Sequence, residues 1–182
     1  VLFNWIFAFD TAYLPLEIRA DYAAVGILGK VVFFAASMSV PMMFARIAHS
    51  KDEAQKKLYM NLAYGFGILA GLGLTGIFYF FGTDLVSLIY GGKYMSIIPV
   101  LPIYSMGATA YALGLARLNY KISQGLYKSW LVLLPVAIIQ AVALTMFKPD
   151  LEFAITLQTI VLMFTGILLV VTKEDSNNQA KL

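Results

Sequence analysis

Long apolar runs alternate with short charged loops, and the positive charges fall mostly on one side of that alternation. Residues 22–46, 58–81, 96–118, 129–147 and 151–172 are each apolar over about 20 residues, the length that crosses ~30 Å of hydrocarbon. A shorter apolar run, residues 1–14, precedes them. A chain of this kind reads as an integral membrane protein, and its charges say how it is oriented.

Cytoplasmic loops of membrane proteins carry an excess of lysine and arginine. Here one set of loops holds Arg46, Lys51, Lys56 and Lys57, then Arg117, Lys121 and Lys128, with Lys173 and Lys181 in the tail. The alternate loops hold only Arg19, Lys93 and Lys148. Nine basic residues against three place the first set and the C-terminus in the cytoplasm. The expected location is the cytoplasmic (inner) membrane, crossed several times.

Composition agrees. The chain is 60% hydrophobic and 13% charged, against about 25% charged in soluble domains. Its net charge of +3 follows from the loop asymmetry and calls for no nucleic acid. With no cysteine and a single histidine, His49, disulfide chemistry is excluded and a histidine-based metal centre is not expected. No cofactor is expected.

The expected fold is all-α: a six-helix transmembrane bundle over residues 1–172 with a polar cytoplasmic tail, 173–182. Helices are expected at 1–14, 22–46, 52–81, 96–122, 127–147 and 151–172, with a short interfacial helix at 83–90. At 1.5 Å per residue, residues 1–14 give about 21 Å, short of a full crossing. The expectation is a truncated first helix with more protein upstream. The run lacks the basic leader of a signal peptide.

Local signals place the boundaries. Pro41 should kink its helix. Ser50-Lys51-Asp52-Glu53 reads as a capping box with Ser50 at the N-cap. Pro99 and Pro102 fall in the first turns of the 96–122 helix, where proline is tolerated. Gly67 and Gly71, four apart on one face, permit close backbone approach; the glycine-rich run 65–76 reads as a packing face or as a hinge.

Ionisable groups at membrane depth are functional candidates by default. Lys30 is the clearest. Gly26, Lys30, Ser37 and Pro41 share one narrow helical face. A small, polar stripe with one lysine reads as a cavity lining; the alternative is a lysine snorkelling to the outer interface. Asp10 reads as a proton or cation coupling site, or as an interfacial carboxylate near Arg19. Ser105, Thr109, Ala112, Ala116 and Asn119 form a second small, polar stripe. The cavity candidates are therefore Lys30, Gly26, Ser37, Ser105, Thr109 and Asn119. Gln140, Gln158, Thr159 and Thr165 read as interhelical hydrogen-bond partners. No nucleophile–base arrangement, paired intramembrane carboxylates, metal-ligand spacing or phosphate-cradling loop is present, so no catalytic residue is assigned.

A family resemblance rests on a concatenation of segments. Asp21-Tyr22-Ala23-Ala24 through Gly29-Lys30, then Pro41-Met42-Met43-Phe44-Ala45-Arg46, then the SKDEAQKK loop, resemble the second lobe of polysaccharide flippases. These belong to the multidrug/oligosaccharidyl-lipid/polysaccharide exporter superfamily. The segment from Phe81 to Tyr94, FGTDLVSLIYGGKY, is similar to that family's interfacial helix and its closing turn. The resemblance covers roughly residues 10–172; Asp21 stands where the family more often has a glycine-containing turn.

The resemblance implies two six-helix lobes around a central cavity, the other lobe lying upstream. It implies flipping of a lipid-linked oligosaccharide, a polyprenyl pyrophosphate glycan destined for O-antigen or capsule, by rocking of the lobes. Membrane lipids would hold the polyprenyl tail. Lys30 stands where that family places a cationic cavity residue. Alternatives are a multidrug or lipid II exporter of the same fold, a non-transporting assembly subunit, or a membrane glycosyltransferase or polymerase. Cationic drugs would need buried carboxylates, and Asp10 is the sole candidate. The loops are short for an enzyme of the last kind.

Overall fold

The computed structural model describes residues 14–50, 52–123, 131, 133–147 and 150–171. The described residues are almost entirely helical and contain no strand. Helix α1 spans Leu16–Ser37, α2 Val40–His49, α3 Glu53–Tyr90, α4 Leu101–Ser123, α5 Leu133–Phe147 and α6 Leu151–Val171. A 3-10 turn, Met95–Ile97, precedes α4.

Helix α1 begins six residues before the expected 22. Pro15 takes an extended conformation at its N-cap, and a fixed φ suits a helix start. Glu17, Arg19 and Asp21 therefore form a polar first turn and a half of α1 rather than a separate loop. The expected kink at Pro41 is present as a two-residue turn whose dihedrals stay in the right-handed helical region. Proline lacks an N–H and its ring crowds the carbonyl four residues back, which is Ser37, the last residue of α1. Met38 and Ser39 form the bend, and Pro41 sits in the first turn of α2.

The capping box is not formed as expected. Ser50 ends α2, where its N–H reaches the Arg46 and Ile47 carbonyls. Asp52 caps α3 instead, its carboxylate accepting from Ala54 N–H at 2.9 Å. A carboxylate two residues before a free N–H satisfies one orphan donor directly, so Ser50 is left to close the preceding helix. The division expected between helices at 52–81 and 83–90 is present as a kink at Phe81 (φ −120°, ψ 15°), beyond which a second helical segment completes α3. It stops at Gly91, whose φ of 64° lies in the left-handed region that favours glycine. The helix expected from 96 starts at Leu101, because Pro99 lies in the preceding turn and Pro102 falls where no donor is needed. The expected helix 1–14, the start of the 127–147 helix at 127–130 and the tail 173–182 lie outside the described residues.

Helix α4 is the central element, packed against α1, α2, α3 and α6. Its approach to α6 is a backbone contact. A Cβ on Gly114 would sit 2.7 Å from the Gly166 Cα, and one on Gly166 would overlap the Ala110 carbonyl. Gly107 meets Thr159 in the same way at 3.1 Å. Both contacts advance by seven residues on each helix, so α4 and α6 run parallel. Helix α5 is joined to α6 by a buried amide pair, Gln140 Nε2 donating to Gln158 Oε1 at 2.5 Å. On α3, Gly67 and Gly71 make the close contacts: a Cβ on Gly67 would lie 2.9 Å from the Ala36 carbonyl oxygen, and one on Gly71 would overlap Thr109, while one on Gly82 would meet Ile98 at an ordinary 3.5 Å. No described atom lies within 4 Å of a Cβ placed on Gly65, Gly73 or Gly76.

The polarity of the bundle is inverted relative to a soluble protein. Ser105, Thr109, Gln140, Gln158, Thr159 and Thr165 are buried, while Leu69 and Phe80 are 74% and 75% exposed. Rows of large apolar side chains also face outward on α1, α5 and α6. Contiguous exposed apolar surface of this extent is compatible with lipid and not with water. Three helical runs are long and apolar enough to cross a membrane: Leu16–Ile47, Glu53–Tyr90 and Leu151–Val171. Helix α4 has the length, but protein surrounds it, so it can carry hydroxyls and tyrosines that lipid would disfavour. The apolar part of α5, Leu133–Ala143, is shorter.

Candidate functional site

Two ends of the bundle can be distinguished. At one end, Asp21 of α1 accepts a hydrogen bond from Ser96 at 2.9 Å. Tyr90 donates its hydroxyl to the Ala24 carbonyl at 3.3 Å, and Lys93 lies over the Tyr94 ring at 5.6 Å. Arg19 donates to the Leu14 carbonyl at 2.8 Å. At the other end, Val40, Met43 and Ile47 of α2 pack with Met60 and Ala63 of α3 and with Ala116 and Tyr120 of α4. The second end carries Arg46, Lys56, Lys57, Arg117 and Lys121, against Arg19 and Lys93 at the first.

Between the ends, α1 carries the stripe singled out in the sequence. Of that stripe Lys30 and Ser37 are half-buried, and Pro41 falls on α2, exposed. Lys30 and Ser37 lie on the seam between a buried row (Val25, Val32, Phe33, Ala36) and an exposed one (Ile27, Val31, Phe34). Gly26 is buried, yet no described atom comes within 4 Å of the position of a Cβ. The Ser37 hydroxyl donates to the Phe34 carbonyl at 3.3 Å. Lys30 has neither a hydrogen bond nor an ion pair among the described residues. It stands about 14 Å along the helix from Asp21 at 1.5 Å per residue.

The second stripe sits elsewhere. Ser105 is fully buried and Thr109 is 5% exposed. Their hydroxyls donate to carbonyls one turn back on α4: Ser105 to Leu101 at 2.8 Å, Thr109 to Ser105 at 2.9 Å. Thr109 packs into the Gly71 notch of α3. Asn119, half-buried, donates to the Leu115 carbonyl at 2.8 Å. No hydrogen bond joins Lys30 to Ser105, Thr109 or Asn119. Across the α1–α4 contact stand instead the Tyr104 ring on Gly29 and Phe33 against Tyr111 at 5.9 Å. Asp10 lies outside the described residues. Among the described residues no group of three or more His, Cys, Asp or Glu could hold a metal ion.

Sequence reasoning passed over a groove at the basic end. It lies between α2 and α3, has a volume of about 230 Å³, and is lined by Ser39, Met42, Arg46, Tyr59, Leu62 and Phe66 among others. Arg46 lies over the Tyr59 ring at 5.6 Å. The signal was present: a loop of only three residues, Ser50–Asp52, makes α2 and α3 antiparallel neighbours, which sets Met42 and Arg46 opposite Leu62 and Tyr59.

No family model, characterised protein or solved structure compared with the chain matches it.

Proposed function

We propose that this chain is one six-helix lobe of a two-lobe exporter of the multidrug/oligosaccharidyl-lipid/polysaccharide superfamily. The whole protein flips a lipid-linked oligosaccharide across the cytoplasmic membrane by alternating access. The observation that carries this reading is Lys30. Its ammonium is at membrane depth, half-buried, beside a glycine with open space at its Cβ position, and without a carboxylate partner among the described residues. An unneutralised cation at that depth costs a few kcal/mol or more. It is worth keeping if an anion visits it, and a pyrophosphate-linked glycan is such an anion. The charge also disfavours cationic drugs as cargo.

Orientation follows from the two ends. Five basic residues at the α2–α3 loop end against two at the other make that loop cytoplasmic. The parallel run of α4 and α6 then brings Val171 to the same side, with the C-terminus. Six crossings require α4 to span as the inner helix of the lobe and α5 as a peripheral one packed on α6.

The test is surface glycan in cells carrying variants of the full-length protein, normalised to membrane-inserted protein. Lys30→Ala should reduce export several-fold at near-normal protein level. Lys30→Arg should retain part of it, since charge survives and shape does not. Lys30→Glu should be worst. Export by the alanine and glutamate variants equal to the parent would reduce Lys30 to a snorkelling lysine and remove the main support for the reading.

A further inference from the structure

The groove between α2 and α3 has a chemical polarity along its length. Its deep end, at the Met38–Ser39 bend, is walled by Met42, Leu62 and Phe66, which are 67%, 61% and 45% exposed. Its shallow end carries the Arg46 guanidinium, laid on Tyr59 at 5.6 Å. Both walls run toward the loop, so apolar surface gives way to charge over about 10 Å of helix rise between Ser39 and Arg46. The bend supplies the depth of the groove. The Ser39 hydroxyl turns away to the Ala63 carbonyl at 3.5 Å, which leaves the walls themselves apolar.

Glu53, the nearest carboxylate in sequence on α3, pairs with Lys56 at 2.6 Å. Arg46 is exposed and has no carboxylate partner among the described residues. A guanidinium stacked on an aromatic ring keeps its edge N–H groups for a planar or tetrahedral oxyanion. A species with a phosphate at one end and a hydrocarbon chain at the other matches both halves of the groove.

We propose that this groove is a binding site for an anionic phospholipid of the leaflet that faces the basic loops. Its phosphate is held by Arg46, and its acyl chain lies along Met42, Leu62 and Phe66. The site is separate from the Lys30 stripe and depends on the chain being membrane-embedded, not on what it transports. Bound there, the lipid would fasten α2 to α3 beside the bend.

The measurement is thermal unfolding of the delipidated full-length protein in neutral detergent, titrated with phosphatidylglycerol, phosphatidylcholine or inorganic phosphate. Phosphatidylglycerol should raise the melting temperature at concentrations at least about ten-fold below those needed for phosphatidylcholine, as expected for one charge-assisted contact. Arg46→Gln should weaken that preference about ten-fold, and Arg46→Lys should keep part of it. Lys93→Gln, which removes the cation over Tyr94 at the opposite end, should leave it unchanged. Equal response to the two lipids, an unchanged preference in Arg46→Gln, or the same shift from inorganic phosphate alone would each overturn the proposal.

Discussion

At Gly166 a single hydrogen stands where any other residue would drive a carbon into the Ala110 carbonyl, while Gly26 has no described atom within 4 Å of the same position. The two glycines should therefore answer differently to one substitution. Gly166→Ala should cost about 1–3 kcal/mol by overpacking against backbone that cannot rotate away. Gly26→Ala should be neutral or gain up to about 1 kcal/mol, because alanine favours the helix. Unfolding in mixed detergent micelles measures both, and equal losses would contradict the α4–α6 contact. The Gly67 and Gly71 contact face was legible, since two glycines four apart on a helix mark a close approach. Gly107, Gly114 and Gly166 were not, because spacing names a face and leaves the partner helix unnamed. The hydroxyls of Ser105 and Thr109 read equally well as cavity or interior in the sequence. The structure buries both and bonds them to their own helix, and Lys30 remains the candidate with open space beside it.

Elements end where a donor or acceptor is lost, and that is where sequence and structure part by a few residues. Pro41 was readable as a disturbance, but whether a proline bends or interrupts a helix depends on what receives the freed groups. Here Met38 and Ser39 keep helical dihedrals, so the run bends and continues as α2. Ser50 and Asp52 compete for one N-cap, and the choice depends on where the preceding helix stops, which the pattern alone leaves open. Between elements, Gln140 and Gln158 were readable as interhelical partners, and they bond to each other. Replacing one by leucine leaves the buried partner amide one hydrogen bond short, at about 1–3 kcal/mol. Replacing both removes that shortfall, so the double variant should lose less than the sum of the singles. Additive losses in micellar unfolding would show that the two amides act independently.

Over the whole molecule the decisive feature is inversion: amides and hydroxyls inside, leucine and phenylalanine outside. That was legible as five apolar runs and one-sided charge. The centrality of α4 was not. It reads in sequence as another crossing, yet it falls short of the three spans set by length and apolarity, because a helix sheathed in protein is released from matching lipid. Such an interior, with Lys30 on the seam of α1 and without a partner among the described residues, is what the proposal of a carrier for an anionic amphiphile rests on. Removing the full-length protein tests this most directly, by following the lipid fraction of the cells. A polyprenyl pyrophosphate-linked glycan should accumulate, shielded from glycosidase added outside intact cells and cleaved once the membrane is opened. A lipid fraction unchanged by the removal, or a glycan that accumulates already exposed on the outer face, would contradict the account.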